Sequence, residues 1–418
     1  MSAIVEQAES PKPAGMTAEQ IAIILATVPI LETGGETLIK HFYGNMLKDY
    51  PEVVPFFNKA HQASGDQPRA LANAVLKYAK NIERLSNLGP LVGQIINKHV
   101  SLNINPAHYA VVGACLLRAI REVLGAEVAT DAVIDAWAAA YGQLADILIG
   151  AEKSLMDTKA AAPGGWQGDR EFVVKDKVKE SSEITSFILA PADGGKVLAH
   201  EAGQYLGLHL NVKDQEVRRN YSISCAANCE HYRISVKREP GGVVSNHLHD
   251  EVHVGHKINL HPPAGDFTLK AASDATKPIV FLTAGVGITP ALAMLQETLS
   301  DKHNAARPVK FIHCARTVDH QAFRKVLLEI SAEHDHVDYY SAYSESAKPD
   351  TVEENEFYGQ LSKDQLARWL PAGGDAEVFF LGPKPFMASM KKNLLELGVP
   401  EKQLHWEFFG PAADLEKI

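Results

Sequence analysis

A buried strand, a tight turn and the start of a helix follow one another in FLTAGVGITP, residues 281–290. The strand is apolar, Gly285 and Gly287 make the turn, and Pro290 falls in the first turn of the helix, where proline is tolerated. Glycines let backbone N–H groups approach a phosphate, and the positive end of the helix dipole favours its charge. Because the stretch matches only part of the GxGxxG fingerprint, a dinucleotide pyrophosphate site and a plain tight turn both stay open.

The region around this stretch, residues 276–418, alternates buried strands with helices. Its short apolar runs lie at 278–282, 309–313 and 377–381, and helical stretches such as 291–299 and 387–397 come between them. This alternation is typical of a sheet that is covered on both faces. We therefore predict an α/β domain with a mostly parallel sheet.

Residues 169–275 have a different sequence pattern, in which short segments of alternating apolar and polar residues lie between glycine and proline turns. Segments of this kind lie at 171–174, 184–189 and 232–236. Alternation with period two predicts antiparallel β structure. We expect a small β-barrel, because closing the sheet removes its exposed edges.

Residues 16–156 read as an all-α domain that opens on a capping box, Thr17 with Gln20. Its helices are expected to break at Pro29, near Pro51, at 64–66, at 89–90, at 105–106 and at Gly125. Residues 157–168 form the predicted linker, in which AAAPGG at 160–165 interrupts the helical pattern. Residues 1–15 are a polar extension.

Composition narrows the class of protein. The chain has 418 residues and a formal net charge of −10 without a cluster of lysine and arginine, which argues against nucleic acid as a partner. A continuous run of about 18 apolar residues is missing, and the N-terminus lacks the apolar core of a signal peptide. The four scattered cysteines match neither a redox nor a zinc motif. We expect a cytoplasmic, monomeric protein without a transmembrane segment.

One histidine stands out in the helical region. Leu91 and Ile95 precede His99 by eight and four residues, so on a helix the imidazole shares their apolar face. This is a suitable place for a haem-ligating histidine, although an ordinary core or surface histidine fits the same pattern.

The β region contains a group suited to a flavin. Alternation along a strand puts Arg219 and Tyr221 on one face, where a guanidinium can pair with a phosphate and a ring can stack on a planar group. An ordinary strand with a surface arginine and a half-buried tyrosine would look the same. Two flanking stretches, 203–206 and the glycine-containing 241–246, favour the flavin.

These motifs together are similar to those of the ferredoxin-NADP reductase module, which carries FAD and binds a nicotinamide cofactor. The motifs are RxYS at 219–222, GGxVSxxLH at 241–249, PxGxF at 263–267, GVGxTP at 285–290 and FGP at 409–411. With a globin-like domain before this module, the chain resembles the flavohaemoglobins, the nitric oxide dioxygenase family, over all but about its first fifteen residues. The resemblance implies haem b, FAD and NADPH or NADH as cofactors, and nitric oxide and oxygen as substrates.

The resemblance implies roles on the proximal side of the haem. His99 corresponds to the iron ligand, and Tyr109 and Glu152 correspond to the hydrogen-bonding pair that makes this ligand electron-rich. Lys98 matches the family lysine that influences the haem and flavin potentials.

Further matches lie on the distal side. Tyr43 corresponds to the tyrosine that hydrogen-bonds the ligand of the iron, with Gln67 and Leu71 as neighbours, and Phe57 corresponds to the phenylalanine that packs on the haem. The resemblance leaves open whether Gln67 reaches the ligand.

The resemblance of the reductase motifs implies which residues contact the flavin and the nicotinamide nucleotide. The flavin would be held by Tyr205, Arg219, Asn220, Tyr221, Ser222, Gly241, Gly242, Val244 and Ser245. The nicotinamide nucleotide would be held by Gly285, Val286, Gly287, Ile288, Thr289, Pro290 and Arg316. The C-terminal segment that covers the flavin would supply Glu407, Phe408, Phe409, Gly410 and Pro411. The chain departs from the pattern at Leu381 and Phe408, where cysteine is common in the family, which puts the rate of hydride transfer and the nicotinamide fit in doubt.

The motif order suggests an electron route. A nicotinamide nucleotide gives a hydride to FAD, which can release its two electrons singly to a haem. The resemblance implies that nitric oxide is then converted to nitrate. Reduction of another acceptor, such as a hydroperoxide, a ferric complex or a quinone, and oxygen storage or sensing are the alternatives. Arg316 is a candidate for the 2′-phosphate of NADPH, but the sequence leaves both nucleotides open.

Overall fold

The computed structural model describes residues 15–410 except 59–61, 63, 273, 275, 302, 303 and 305. Pro411 and most of the predicted polar extension lie outside the described residues. The chain divides into two compact units. The first contains residues 1–54, 62–96 and 104–154, and the second contains residues 55–61, 97–103 and 155–418.

The N-terminal region is helical, as predicted. Its helices are α1 (Ala18–Asp49), α2 (Asp66–Lys80), α3 (Gly89–Leu102), α4 (Pro106–Val128) and α5 (Asp131–Ala161). The expected capping box begins α1: the Gln20 N–H donates to the Thr17 hydroxyl at 3.2 Å, and the Thr17 N–H donates to the Gln20 side chain at 3.0 Å. Asn105 caps α4 in the same way, with its side chain accepting from the Ala107 N–H at 3.0 Å.

Helix ends differ from the sequence-based ones at two places. The predicted break at Pro29 is wrong, because α1 continues through it. The missing N–H of a proline inside a helix costs about 3 kcal/mol, but Ile24, Leu31 and Leu38 are buried along this helix, and each contributes about 1.5–3 kcal/mol. The predicted break at Gly125 is confirmed, because its φ of 74° and ψ of 163° interrupt the helical backbone within α4. Helix α5 continues to Ala161, past the expected boundary at 156.

Two described helices, α1 and α5, are long and apolar enough to cross a membrane by length and composition alone. Core helices of a soluble protein pass the same test, so this is weak support for a membrane span. The expectation of no transmembrane segment stays a prediction.

An antiparallel sheet of six strands follows. Its strands are β1 (Arg170–Lys179), β2 (Ile184–Pro191), β3 (Tyr205–Val212), β4 (Gln215–Ser222), β5 (Tyr232–Lys237) and β6 (Lys257–Leu260), with α6 (Val243–Asp250) before β6. They pair in the order β4-β3-β6-β1-β2-β5. Just beyond β4, Ile223 forms an antiparallel bridge with Ile234 in β5, so the two edges of the sheet meet. The predicted closure of the β domain is confirmed at this bridge.

The C-terminal region is a parallel sheet with helices between its strands. The elements are β7 (Ile279–Ala284), α7 (Ile288–Ser300), β8 (Val309–Ala315), α8 (Arg324–Glu333), β9 (Val337–Tyr343), β10 (Glu356–Tyr358), α9 (Lys363–Trp369), β11 (Glu377–Leu381), α10 (Lys384–Glu396) and β12 (Leu404–Trp406). The strand order is β10-β9-β8-β7-β11-β12, and every pair is parallel. The carboxyl ends of β7, β8 and β11 therefore share one edge, where ligands bind in open α/β sheets.

Candidate functional site

A buried tyrosine and a buried glutamate face each other between α4 and α5. The Tyr109 hydroxyl donates to Glu152 Oε1 at 2.5 Å, and the Tyr141 hydroxyl donates to the Tyr109 carbonyl at 2.6 Å. Burial raises the pKa of Tyr109, and the nearby Glu152 raises it further, so the phenol keeps its proton. A carboxylate fixed by such a donor is the kind of group that orients a ligating imidazole.

A second buried tyrosine lies on α1. Burial raises the pKa of Tyr43, while a hydrogen bond with the Gln67 side chain on α2 opposes that shift. Tyr43 is therefore a neutral phenol that can donate a hydrogen bond. The structure brings Gln67 to Tyr43 and places the half-buried Leu71 one turn further along α2.

Four apolar side chains of the first unit keep part of their surface exposed. Leu71 and Val75 on α2 and Leu91 and Ile95 on α3 are half-buried rather than buried. A flat apolar group such as haem needs walls of this kind. These walls, together with the buried phenol of Tyr43, fit a haem.

His99 and Phe57 both belong to the second unit. Each is half-buried, His99 in the last turn of α3 and Phe57 just after a short 3₁₀ turn, Pro51–Phe56. An imidazole in this setting can ligate a haem iron.

Lys98, Tyr205 and Glu407 come together in the second unit. The Lys98 ammonium lies 5.9 Å from the centre of the Tyr205 ring. Although Lys98 keeps contact with solvent, desolvation lowers the pKa of its ammonium, and the charge of Glu407 opposes this. Burial raises the pKa of Glu407 to about 8; Asp266 adds to this and Lys98 opposes it. The cluster combines an aromatic ring with two groups whose charges are sensitive to their surroundings.

Strand β4 confirms the predicted alternation. Arg219 and Tyr221 are both half-buried, two positions apart on one face, and burial lowers the pKa of Arg219. The Asn220 side chain instead donates to the Ser101 hydroxyl at 2.8 Å, and Ser222 pairs with Tyr205 across the strands. A guanidinium and an aromatic ring on one face can pair with a phosphate and stack on a planar ring, which fits FAD.

A glycine pair, Gly241 and Gly242, lies between β5 and α6, and Gly242 is the N-cap residue of α6. Gly241 has φ 70°, and a Cβ on Gly242 would lie 2.5 Å from the Ser245 hydroxyl, so a side chain at Gly242 would displace Ser245. Ser245 accepts from the Glu239 N–H at 3.2 Å, and Val244 is buried in the barrel core. This turn leaves backbone at the surface, where a pyrophosphate can approach it.

The stretch FLTAGVGITP, residues 281–290, forms the predicted strand, turn and helix. Gly285 has φ 54°, and a Cβ on Gly287 would lie 2.6 Å from the carbonyl oxygen of Leu381, at the end of the neighbouring strand β11. Helix α7 begins at Ile288, and Thr289 donates to the Val286 carbonyl at 2.9 Å. Pro290 is the third residue of α7 and is buried with Ile288 and Thr289.

Arg316 follows β8 at the same edge of the sheet as this turn. Its guanidinium is half exposed and forms an ion pair with Glu183 at 2.7 Å. A nucleotide phosphate would therefore compete with a carboxylate for this arginine.

The segment after β12 carries the last predicted residues. Phe408 packs against the core of the α/β domain, with Lys384 6.0 Å from its ring centre, while Phe409 stays largely exposed. Gly410 donates through its N–H to the Phe408 carbonyl at 2.8 Å.

Two residues near these sites were not predicted from the sequence. Asp266 raises the pKa of both Glu407 and Tyr205, and it lies inside the PxGxF motif. Ser101 holds Asn220 and hydrogen-bonds with Tyr205, and it follows His99 by two residues. Their positions inside or beside known motifs were the only available signal.

Three family models match the chain in the predicted order. A globin model matches residues 40–148, an oxidoreductase FAD-binding domain matches 171–269, and an oxidoreductase NAD-binding domain matches 281–392.

Whole-length relatives and solved structures agree with this order. The chain is 58% identical to a flavohemoprotein of Pseudomonas aeruginosa, covering 95% of this chain and 98% of the relative, and 45% identical to one of Deinococcus radiodurans, covering 96% and 99%. The structure of a Malassezia yamatoensis flavohemoglobin with bound FAD and haem covers 95% of this chain and 100% of its own, with a TM-score of 0.83 at 27% identity. The FAD/NAD-binding domain of a Vibrio cholerae nitric oxide dioxygenase covers 58% and 99%, with a TM-score of 0.51 at 34% identity. The chain belongs to the flavohemoprotein family.

Proposed function

We propose that this flavohemoprotein is a nitric oxide dioxygenase that uses NADPH or NADH and oxygen to convert nitric oxide to nitrate. The buried hydrogen bond from Tyr109 to Glu152 carries the proposal, because a fixed carboxylate makes a ligating imidazole a stronger electron donor. Passive oxygen storage needs neither this pair nor a fused reductase. The solved FAD/NAD-binding domain of the Vibrio cholerae nitric oxide dioxygenase supports the same assignment.

His99 would hold the haem, with Phe57 as an apolar contact. The bound haem would supply the iron for oxygen chemistry, and the bound FAD would turn one hydride into two single electrons. Tyr43 would donate a hydrogen bond on the distal side, since burial keeps its phenol protonated. Gln67 would orient that phenol through their shared hydrogen bond.

Arg219, Tyr221 and the turn at 241–245 would hold the FAD, while the turn at 285–290 would receive the nucleotide pyrophosphate. Lys98 and Glu407 would adjust the charge beside the flavin. Their charges oppose each other, and each affects the pKa of the other. An ammonium near a flavin stabilises added electrons, whereas a carboxylate destabilises them.

Turnover with nitric oxide tests the proposal directly. We expect the haem- and FAD-loaded protein to consume NADPH and form nitrate when nitric oxide and oxygen are both present, and to form none when oxygen is removed. Consumption of NADPH with a hydroperoxide, a ferric complex or a quinone, but without nitrate from nitric oxide, would show a different reductase. Failure of both NADPH and NADH to reduce the haem rapidly would favour an oxygen-binding protein.

The pKa of Glu407 near 8 predicts a pH-dependent flavin reduction. Below pH 8 the carboxyl is mostly neutral; above pH 8 it is charged and opposes electron transfer into the flavin. We expect flavin reduction by NADPH to slow by up to about tenfold from pH 7 to pH 9. Glu407→Gln should remove this dependence, as measured by stopped-flow absorbance.

Glu401→Gln is the matched control, because Glu401 is an exposed glutamate of the same C-terminal region that forms an ion pair with Lys391. It should keep the wild-type pH profile. An unchanged profile in Glu407→Gln would mean that another group titrates.

Arg316 tests nucleotide choice. If its guanidinium leaves Glu183 to bind the 2′-phosphate of NADPH, Arg316→Ala should raise the Michaelis constant for NADPH by about 10-fold and leave that for NADH nearly unchanged. Steady-state kinetics with both nucleotides measure this. Equal constants before and after substitution would remove Arg316 from the nucleotide site, and Lys325→Ala is the matched control because Lys325 is an exposed cation on α8.

A further inference from the structure

Two histidines and an aspartate converge on the β-barrel, and none of them has a role in the proposed function. Asp169 precedes β1, His209 lies on β3 and His261 follows β6. Asp169 Oδ2 is 2.7 Å from His209 Nδ1, and Asp169 Oδ1 is 2.6 Å from His261 Nε2. The donor atoms of all three side chains lie within 4.8 Å of one another.

In each ring one nitrogen, the inner one, faces Asp169, and the other, the outer one, faces a different hydrogen-bond acceptor. His261 Nδ1 is 2.8 Å from the Ser101 carbonyl oxygen, and His209 Nε2 is 3.0 Å from Glu216 Oε1. A carbonyl and a carboxylate can only accept, so each outer nitrogen carries a proton. In the neutral form of each ring, the inner nitrogen then presents a lone pair to Asp169.

Asp169 is itself an acceptor. Both of its carboxylate oxygens can only accept, and each lies against the inner nitrogen of one ring. A ring lone pair that faces a carboxylate oxygen at 2.6–2.7 Å is repelled by it unless a cation lies between them.

Protons could supply that positive charge, but the position of His261 makes this costly. Its side chain is 1% exposed, so a doubly protonated ring would bury a positive charge there. Arg218, which pairs with Glu216 at 3.0 Å, already places a positive charge beside this cluster. Among the described residues, His261 Nε2 is also one of the buried polar atoms that lack a well-aligned hydrogen bond.

We propose that Asp169, His209 and His261 bind a divalent metal ion of the zinc class. The ligands are His209 Nδ1, His261 Nε2 and a carboxylate oxygen of Asp169, with water in the fourth position. Ser101 and Glu216 fix the tautomers of the two histidines from outside, as acceptors commonly do around ligating imidazoles.

The geometry needs only a small adjustment. Tetrahedral zinc with bonds of about 2.0–2.2 Å separates its ligand atoms by about 3.3–3.6 Å, so the two Asp169 contacts must open by less than about 1 Å. Asp169 is 36% exposed and His209 is 22% exposed, which gives the ion access from solvent and gives both side chains room to move.

Zinc binding to the haem- and FAD-loaded protein, purified without a polyhistidine tag, tests the proposal. We expect wild-type protein to retain one more equivalent of zinc in equilibrium dialysis than His209→Ala or Asp169→Asn. Anomalous scattering at the zinc edge should place this ion between Asp169 and His261. Zinc should also raise the thermal unfolding midpoint of the wild type more than that of the two variants.

His231→Ala is the matched control, a half-buried histidine on the same barrel outside the cluster. It should retain the wild-type amount of zinc. Equal zinc content in wild type, His209→Ala and Asp169→Asn would overturn the metal site, as would nuclear magnetic resonance showing both rings doubly protonated at pH 7 in the presence of zinc. Nitric oxide turnover is measured separately, so neither result bears on the proposed reaction.

Discussion

His99→Ala is expected to lose the haem and to lower nitrate formation by more than about 100-fold. Even a change beside a metal ligand typically costs 10–100-fold in affinity or activity, and this substitution removes the proposed ligand itself. The flavin should still be reduced by NADPH at the wild-type rate, because the nucleotide turn and Arg219 are untouched. The ratio of Soret to flavin absorbance measures the haem content. Stopped-flow absorbance measures the rate of flavin reduction.

His41→Ala provides the comparison for this variant. His41 is an exposed histidine on α1 that contacts Glu122 at 2.6 Å. Its replacement should leave haem content unchanged. Wild-type haem occupancy and nitrate formation in His99→Ala would remove His99 as the iron ligand and require another one.

Local patterns were sufficient to predict most of the fold. Thr17 and Gln20 predicted the start of α1, and the alternation of Arg219 and Tyr221 predicted a shared face, because hydrogen bonds and side-chain direction in these elements depend on residues a few positions apart. The turn around Gly285 likewise depends on neighbours in sequence. Structural features that depend on residues close together in the chain can therefore be predicted from a single sequence.

Features that depend on distant residues were missed or mispredicted. The buried face of α1 overrides the breaking effect of Pro29, and the amount of burial is decided by other helices. The pKa of Glu407 depends on Lys98 and Asp266, which are 309 and 141 residues away in the chain. Asp169, His209 and His261 form no spacing motif, because three separate parts of the barrel bring them together.

The largest effect expected on the reductase side comes from Gly287→Ala. The new Cβ would lie 2.6 Å from the Leu381 carbonyl oxygen and 3.0 Å from the Gly382 nitrogen, and backbone atoms cannot move aside cheaply. The turn must shift away from β11, at a cost of about 1–3 kcal/mol in folding free energy. We expect flavin reduction by NADPH to slow by more than about 10-fold, because the N–H groups of the shifted turn would no longer point toward the nucleotide pyrophosphate.

Gly34→Ala gives the matched substitution, because Gly34 lies in α1 and a Cβ there would meet no atom within 4 Å. It should leave flavin reduction unchanged and keep or slightly raise stability, since alanine favours a helix more than glycine does. Chemical reduction of the flavin by dithionite should be equally fast in both variants, which separates nucleotide binding from flavin loss. If Gly287→Ala kept the wild-type rate and Michaelis constant for NADPH, the nucleotide would have to bind elsewhere, and the turn at 285–290 would serve only to pack β7 and α7 against β11.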